Sequence, residues 1–342
     1  MKSNPSESPK LAWRKTVAPY ENPNMWRSLW QVINSVVSYI FLWYLMYLSL
    51  EVSYWLTLLL AIIAAGFLVR AFIIFHDCGH GSFFKSQKAN DILGTIIGVF
   101  TFTPYYYWRH DHAVHHASAG DLDRRKVGDI WMLTVNQYLG SSFWERVAYR
   151  AYRNPVVLFV VGPLFLFLIK YRFALRTPDK RERHSVYRTN LAIAVVVVLM
   201  SVVIGFKAYV LIQLPITMIS SSAGVWMFYV QHQFEGVYWE RHDNWHYVTA
   251  AIKGSSFYKL PKVLQWFTGN IGFHHIHHLG PRIPNYQLEK CHNENSLFER
   301  INPITLLSSL KSLTFRLWDE ERHKLVGYGG AKTPRQYTNL RE

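Results

Sequence analysis

The sequence predicts an all-α integral membrane protein. It has two transmembrane helical hairpins giving four spans, two further interfacial or re-entrant segments, and a helical cap on one side of the membrane. Three observations predict this. Half of the 342 residues are hydrophobic, and they gather in runs long enough to cross a bilayer. The short links inside the two strongest pairs of runs carry almost no positive charge, whereas Lys and Arg crowd the other polar stretches. Ten of the sixteen histidines fall in three short clusters close to the ends of those runs. Length alone would suggest two soluble domains, but the apolar runs override that expectation.

Residues 1–30 form a polar N-terminal segment carrying Lys2, Lys10, Arg14 and Lys15. They lack the apolar core and small-residue cleavage site of a signal peptide. Residues 31–75 make the first hairpin. The stretch 31–50 is apolar and aromatic, enough for one helical crossing of a hydrocarbon core roughly 30 Å thick. Glu51 marks the turn, and 52–75 crosses back, interrupted only by Arg70 near its end, from where a long side chain can snorkel to the headgroups. Residues 76–190 belong to the cap and hold the first two histidine clusters. Residues 191–230 make the second hairpin from the runs 191–205 and 208–230, with Lys207 near its turn. The first of these runs is short and valine-rich, so it recruits flanking residues to span. Residues 231–330 return to the cap with the third cluster, and 331–342 form a polar tail.

Two weaker runs, 92–107 and 156–169, contain or adjoin Gly and Pro. Their fate decides the topology. Turns poor in Lys and Arg face outward by the positive-inside rule, which places both termini and the clusters on the cytoplasmic side of the cell membrane. If both weaker runs crossed fully, the second cluster would be stranded opposite the other two. A single metal site forbids that, so these runs are expected to be interfacial or re-entrant.

Charge and cysteine content narrow the function classes. Lys and Arg outnumber Asp and Glu by 37 to 22, a formal charge of +15. On a chain with such apolar runs this points to anionic lipid headgroups and an acidic protein partner rather than nucleic acid. The two cysteines, Cys78 and Cys291, imply no disulfide framework and fit a reducing cytoplasmic face.

The clusters read HDCGH at 76–80, HDHAVHH at 110–116 and HHIHH at 274–278. On a helix, positions i, i+3 and i+4 share one face. His76 and His80 therefore point one way, as do His112, His115 and His116, and His274, His277 and His278. Eight converging imidazoles exceed what one ion binds and fit two adjacent ions; a structural zinc takes four ligands, a catalytic one about three from protein. Imidazole alone does not choose among Fe, Zn, Cu and Ni. A ninth ligand is sought after the last span, where His232 is preferred to His242 and His246. His110 and His275 fall off the shared faces and read as hydrogen-bonded bystanders. His184, His292 and His323 read as surface residues. Asp77, Asp111 and Asn270 are candidates to orient ligand imidazoles through their second ring nitrogen, with solvated loop positions as the equal alternative. Residues 105–108, Tyr-Tyr-Tyr-Trp, are candidates to line a substrate slot, although an interfacial aromatic belt is preferred.

The order HxxxH, HxxHH, HxxHH set between two apolar hairpins resembles the membrane fatty-acid desaturase family over residues 30–320. HDCGH followed by GSFF looks like the acyl-lipid type. GDIW at 128–131, YRAYRNP at 149–155 and GSSFYKLP at 254–261 look close to the phospholipid Δ5 desaturases of Bacillus species. The resemblance implies two irons held by His76, His80, His112, His115, His116, His274, His277 and His278, with His232 as the ninth ligand. It also implies O2 as co-substrate and insertion of a cis double bond, at Δ5, into acyl chains of membrane phospholipids. The chain carries no GxGxxG turn and no CxxC set, so two electrons must come from a separate ferredoxin- or flavodoxin-type donor. Alternatives are a Δ12 (omega-6) desaturase or a di-iron hydroxylase of lipid, alkane or carotenoid. From a different class comes a zinc-dependent membrane receptor or hydrolase.

Overall fold

The computed structural model describes residues 9–124, 129–174 and 177–331. The first eight residues, Arg125 and Lys126 of the basic stretch, and the expected tail beyond 331 lie outside these ranges. Helix α1 (Pro9–Val17) leads to α2 (Met25–Ser49), which Asn24 caps by accepting the Arg27 N–H. A tight turn at residues 50–53 reverses the chain into α3 (Tyr54–His80). Both helices are long and apolar enough to cross a membrane. They pack closely because Ala61, Ala64 and Ala65 present almost no side chain at the interface, where Tyr39, Leu42 and Met46 fill the space. Hydroxyls of Ser49 and Thr57, 2.7 Å apart, tie the turn.

Next come α4 (Gln87–Phe100) and α5 (Tyr105–Ser118). At 14 residues α4 extends only about 21 Å, too short to cross, and the chain reverses through Phe102 (φ 55°) and Pro104 into α5. The first weak run is therefore split between two helices and returns to the side it left. Short α6 (Val135–Gly140) and α7 (Phe143–Tyr152) follow, each opened by a capping box. The second weak run continues through a π-turn at Val157–Val161 into α8 (Gly162–Leu168), bent from α7 by 63°. This is a broken or re-entrant segment rather than a straight span.

Asp179 caps α9 (Lys180–Ile204), whose polar first turns supply the length that its valine-rich run lacks. Gly205, at φ 89°, turns the chain into α10 (Phe206–His232). Pro215 sits inside α10, and the carbonyl it frees at Leu211 accepts from the Tyr54 hydroxyl. Gln213 accepts from Tyr39 and Trp43, tying α10 to α2. With α9 and α10 the candidate spans number four among the described residues. The protein is thus a mostly helical, multi-pass membrane protein. Exposed Trp30, Ile40, Phe41, Leu59, Val198 and Val202 mark the lipid-facing surface.

The cap is completed by α11 (Tyr247–Lys253), α12 (Lys262–Phe267), α13 (His274–Leu279), α14 (Asn285–Asn293) and α15 (Leu306–Ser309). A small sheet joins distant parts of it. Strand β1 (Leu133–Thr134) pairs in parallel with β2 (Leu317–Asp319), which pairs antiparallel with β3 (Lys324–Val326). Strands of two or three residues carry too little alternation for a sequence signal. Arg153 is buried near β2 and has no ion-pair partner among the described residues; it donates to the Tyr229 hydroxyl, the Gln233 amide oxygen and the Phe315 carbonyl.

Arg70 departs from expectation. It does not snorkel: it is buried, its guanidinium lies 3.9 Å from the ring centre of Trp266, and it donates to the Trp266 carbonyl. A carbonyl at the end of α12 was a nearer partner than the headgroups.

Candidate metal centre

Four helices deliver the histidines. Helix α3 carries His76 and His80 on its final turns and stops there because Gly81 takes a left-handed φ of 67°. Its chain end is then held by Ser82 N–H donating to the Asp77 carbonyl. Helix α5 carries His112, His115 and His116. Helix α13 is only six residues long, ends at Gly280 and carries His274, His277 and His278. His232 is the last residue of α10.

The ring nitrogens gather in two groups, each with its ligand atoms within 4.8 Å of one another. One holds His76, His80, His112, His116 and His277; the other holds His115, His232, His274 and His278. The groups adjoin, since the rings of His116 and His278 stack at 4.1 Å and 11°. Each HxxHH motif contributes its i, i+4 pair to one group and its remaining histidine to the other. The helical face read from the sequence is real, but neighbouring positions on it serve different centres.

The donor set fits metal ions on a proton count. His115 Nδ1 lies 2.5 Å from Asp129 Oδ1, and His232 Nδ1 lies 3.3 Å from the Gly254 carbonyl. Both partners only accept, so each Nδ1 carries the proton and each Nε2 presents a lone pair. Yet these two Nε2 atoms stand 3.0 Å apart, and His232 Nε2 is also 3.0 Å from His274 Nε2. Two facing lone pairs repel unless a cation sits among them. In the other group, His80 Nε2 is buried with no hydrogen-bond partner among the described residues, while His112 and His277 approach His116 at 3.1 and 3.0 Å. Nitrogens about 2.1 Å from a common ion and at right angles would lie about 3.0 Å apart. Burial first, and neighbouring imidazoles second, hold His112, His116, His274, His277 and His278 well below the usual histidine range. They are therefore neutral, the form that binds metal.

The remaining candidates fall outside. His242 turns to Asp121 at 2.7 Å, and His246 is exposed at the start of α11. His110 faces Glu182 at 3.3 Å on the surface. His275 is fully buried and points its Nε2 at His292 Nδ1, 3.3 Å away. His292 is thus half-buried and paired, not a plain surface residue, and burial lowers the pKa of His275 to about 3.

Among the proposed orienting residues, Asp77 lies 3.3 Å from His76 Nδ1 and accepts the Asn285 backbone and side-chain N–H groups. Asp111 and Asn270 do not touch these imidazoles: Asn270 donates to the Asn285 carbonyl, and burial raises the carboxyl pKa of Asp111. Sequence reasoning missed Asp129 and the Gly254 carbonyl. Asp129 stood within the GDIW stretch, whose Gly128 lies outside the described residues. No local spacing links it to His115; only the fold does.

Residues 105–108 are not an interfacial belt. Tyr105, Tyr107 and Trp108 are buried, Tyr105 donates to the Cys78 carbonyl, and Trp108 stacks on His112 at 4.4 Å. Phe228 covers the second group, 4.9 Å from His115 and 5.2 Å from His232. A small cavity bounded by Asp129, Phe228, His232 and Trp239 reaches that group.

Comparison with known proteins agrees with this architecture. A family profile described as fatty acid desaturase matches residues 53–299. A fatty acid desaturase of Bacillus subtilis (strain 168) is 51% identical over 318 residues, covering 93% of this chain and 90% of the relative. From a Synechocystis strain, an sn-1 oleoyl-lipid 12-desaturase is 28% identical, covering 69% of this chain and 66% of the relative. An sn-1 acyl-lipid omega-3 desaturase (ferredoxin) from the same strain is 24% identical, covering 64% and 62%. The chain belongs to the fatty acid desaturase family, an oxygen-dependent class of oxidoreductases.

Proposed function

We propose that this member of the family introduces a cis double bond at Δ5 into acyl chains of membrane phospholipids, using O2 and two electrons, at two irons held by nine histidines. The observation that carries the reading is the pair of adjoining all-histidine groups, buried where four helices meet at the membrane edge. His76, His80, His112, His116 and His277 hold one ion; His115, His232, His274 and His278 hold the other. Iron bound there supplies activation of O2 for removing hydrogen from unactivated methylene carbons. The protein's part is orientation and exclusion. Asp129 and the Gly254 carbonyl fix the ring orientations of His115 and His232, and Asp77 that of His76. Trp108 and Phe228 lie on the imidazoles and keep water off them.

The Δ5 position and the phospholipid substrate rest on the stretches GDIW, YRAYRNP and GSSFYKLP. The relatives named for lipid-linked acyl chains support an esterified substrate. A relative whose name specifies ferredoxin supports a separate electron carrier of ferredoxin or flavodoxin type. The oleoyl-lipid 12-desaturase favours Δ12 as the second reading. The scarcity of Lys and Arg at the turns near 51 and 207 supports histidines and both termini on the cytoplasmic side of the cell membrane. The division into hairpins 31–75 and 191–230, cap portions 76–190 and 231–330, and terminal segments 1–30 and 331–342 belongs to this proposal.

The test is expression in a cell lacking its own desaturases, followed by gas chromatography–mass spectrometry of the acyl chains. New cis-Δ5 chains are expected. Δ12 products would replace the regiochemistry, a hydroxylated product would replace desaturation, and one zinc per chain without iron would overturn the metal assignment.

A further inference from the structure

Helix α12 has an unusual setting. Its Phe267 ring fills the notch at Gly66 of α3, so close that a Cβ there would meet it at 2.9 Å. Trp266 meets Phe67 edge-on at 5.7 Å, and Arg70 clamps the Trp266 ring and carbonyl. Gly66 and Arg70 belong to a membrane span about 40 Å long, so the end of α12 is held at bilayer depth. Its outer face exposes Val263 by 67%, Leu264 by 41% and Trp266 by 40%, which lipid covers at that depth. Lys262 opens the helix and Lys259 precedes it by three residues, so the basic end points toward headgroup level.

Behind this end lies a cavity of about 240 Å³. Lys259, Lys262, Glu289, His292, Asn293 and Phe273 are among the residues that line it. Lys262 is bridged to Glu289, whereas Lys259 is exposed and has no carboxylate partner among the described residues. Phe273 immediately precedes His274, and His292 is hydrogen-bonded to His275. One wall of a cationic pocket at the lipid surface is thus a chain neighbour of the histidine groups.

We propose that this pocket binds the phosphodiester of a phospholipid headgroup through Lys259 and Lys262, and that the lipid held there is the substrate. The inference rests on the phospholipid reading above and deepens it. A double bond near the ester end of the chain requires the headgroup to be held close to the histidine groups; a bond far along the chain does not.

The test uses the purified full-length protein in neutral detergent, titrated calorimetrically with dihexanoyl-phosphatidylglycerol. Inorganic phosphate and dihexanoylglycerol serve as the comparison probes. The phospholipid is expected to bind and both comparison probes to bind far more weakly. Lys259→Gln should weaken binding about fivefold and the Lys259→Gln/Lys262→Gln pair about 25-fold, the effect of one interfacial cation applied once and twice. Glu289→Gln should tighten binding, a gain that a damaged fold cannot give. Lys311→Gln, which removes a surface charge paired with Glu235 away from the pocket, should change nothing. With the iron-loaded protein, the double variant should raise KM for the phospholipid and leave kcat unchanged. Equal binding of phosphate and phospholipid would overturn the proposal, as would unchanged binding in the double variant. Lost binding with unchanged KM would overturn the substrate role. If the pocket binds phospholipid but expression yields no alkene, the proposed function falls and the pocket stands.

Discussion

Asp129 offers the sharpest test of the two-centre arrangement. Asp129→Ala removes the acceptor 2.5 Å from His115 Nδ1 and leaves the other eight histidines with their partners. A hydrogen bond to a charged group contributes about 1.5–3 kcal/mol, which is about 13- to 160-fold in a binding constant. Loss of an outer partner of a metal-binding histidine falls in a similar interval. His115 is 1% exposed but Asp129 is 20% exposed, so water can replace part of the lost acceptor. The expected loss is therefore near the lower limit, about tenfold. It should fall on one ion, because His115 belongs only to the four-histidine group. The assay strips the full-length protein with chelator and reloads it anaerobically with Fe(II) or Co(II), following occupancy by mass spectrometry and the cobalt spectrum. The wild type should fill two positions, and the variant should fill one normally and the other at about tenfold higher metal concentration. Equal weakening of both positions, or of neither, would refute the assignment of Asp129 to a single centre.

Three further outcomes follow from packing and burial. Arg153→Met should destabilise the protein by about 1–3 kcal/mol, since it strands the buried Gln233 amide oxygen while the Phe315 carbonyl keeps its donor from Arg316, and Arg153→Lys should not restore it fully; size-exclusion profiles and limited proteolysis report this. Gly94→Ala should lower the unfolding temperature through about 1–3 kcal/mol of overpacking, because the new Cβ would meet the buried Tyr105 ring at 2.2 Å, and a scanning thermal assay in detergent would show no change if the ring had room to move. Burial pushes the Cys291 thiol up to about 12, above its ordinary 9.0. The unfolded chain therefore loses this proton first as pH rises, so stability is retained below pH 9 and declines between about 9 and 12, and Cys291→Ala should flatten that decline in pH-dependent unfolding.

Much of this protein is legible in its sequence because the signals are local. A bilayer requires about twenty apolar residues in a helix, so the four spans follow from composition, and Asn24, Gly81 and Asp179 mark where helices begin or end. The i, i+3 and i+4 spacing is likewise a property of any helix, so the histidines that share a face are evident before the fold is known. The parity of the crossings also follows, since chemistry at one site requires the clusters on one side.

What only the tertiary structure decided depends on partners far apart in the chain. The division of each HxxHH between two groups is set by how α3, α5, α10 and α13 cross, which no single helix encodes. Asp129 meets His115, and the Gly254 carbonyl meets His232, across 14 and 22 residues. Arg70 turned from the headgroups to Trp266 because α12 packs against α3, and the aromatic run at 105–108 turned inward, where Trp108 stacks on His112. Residue spacing fixes which side chains face together, but which chemical group they face is fixed by contacts that only folding brings into range.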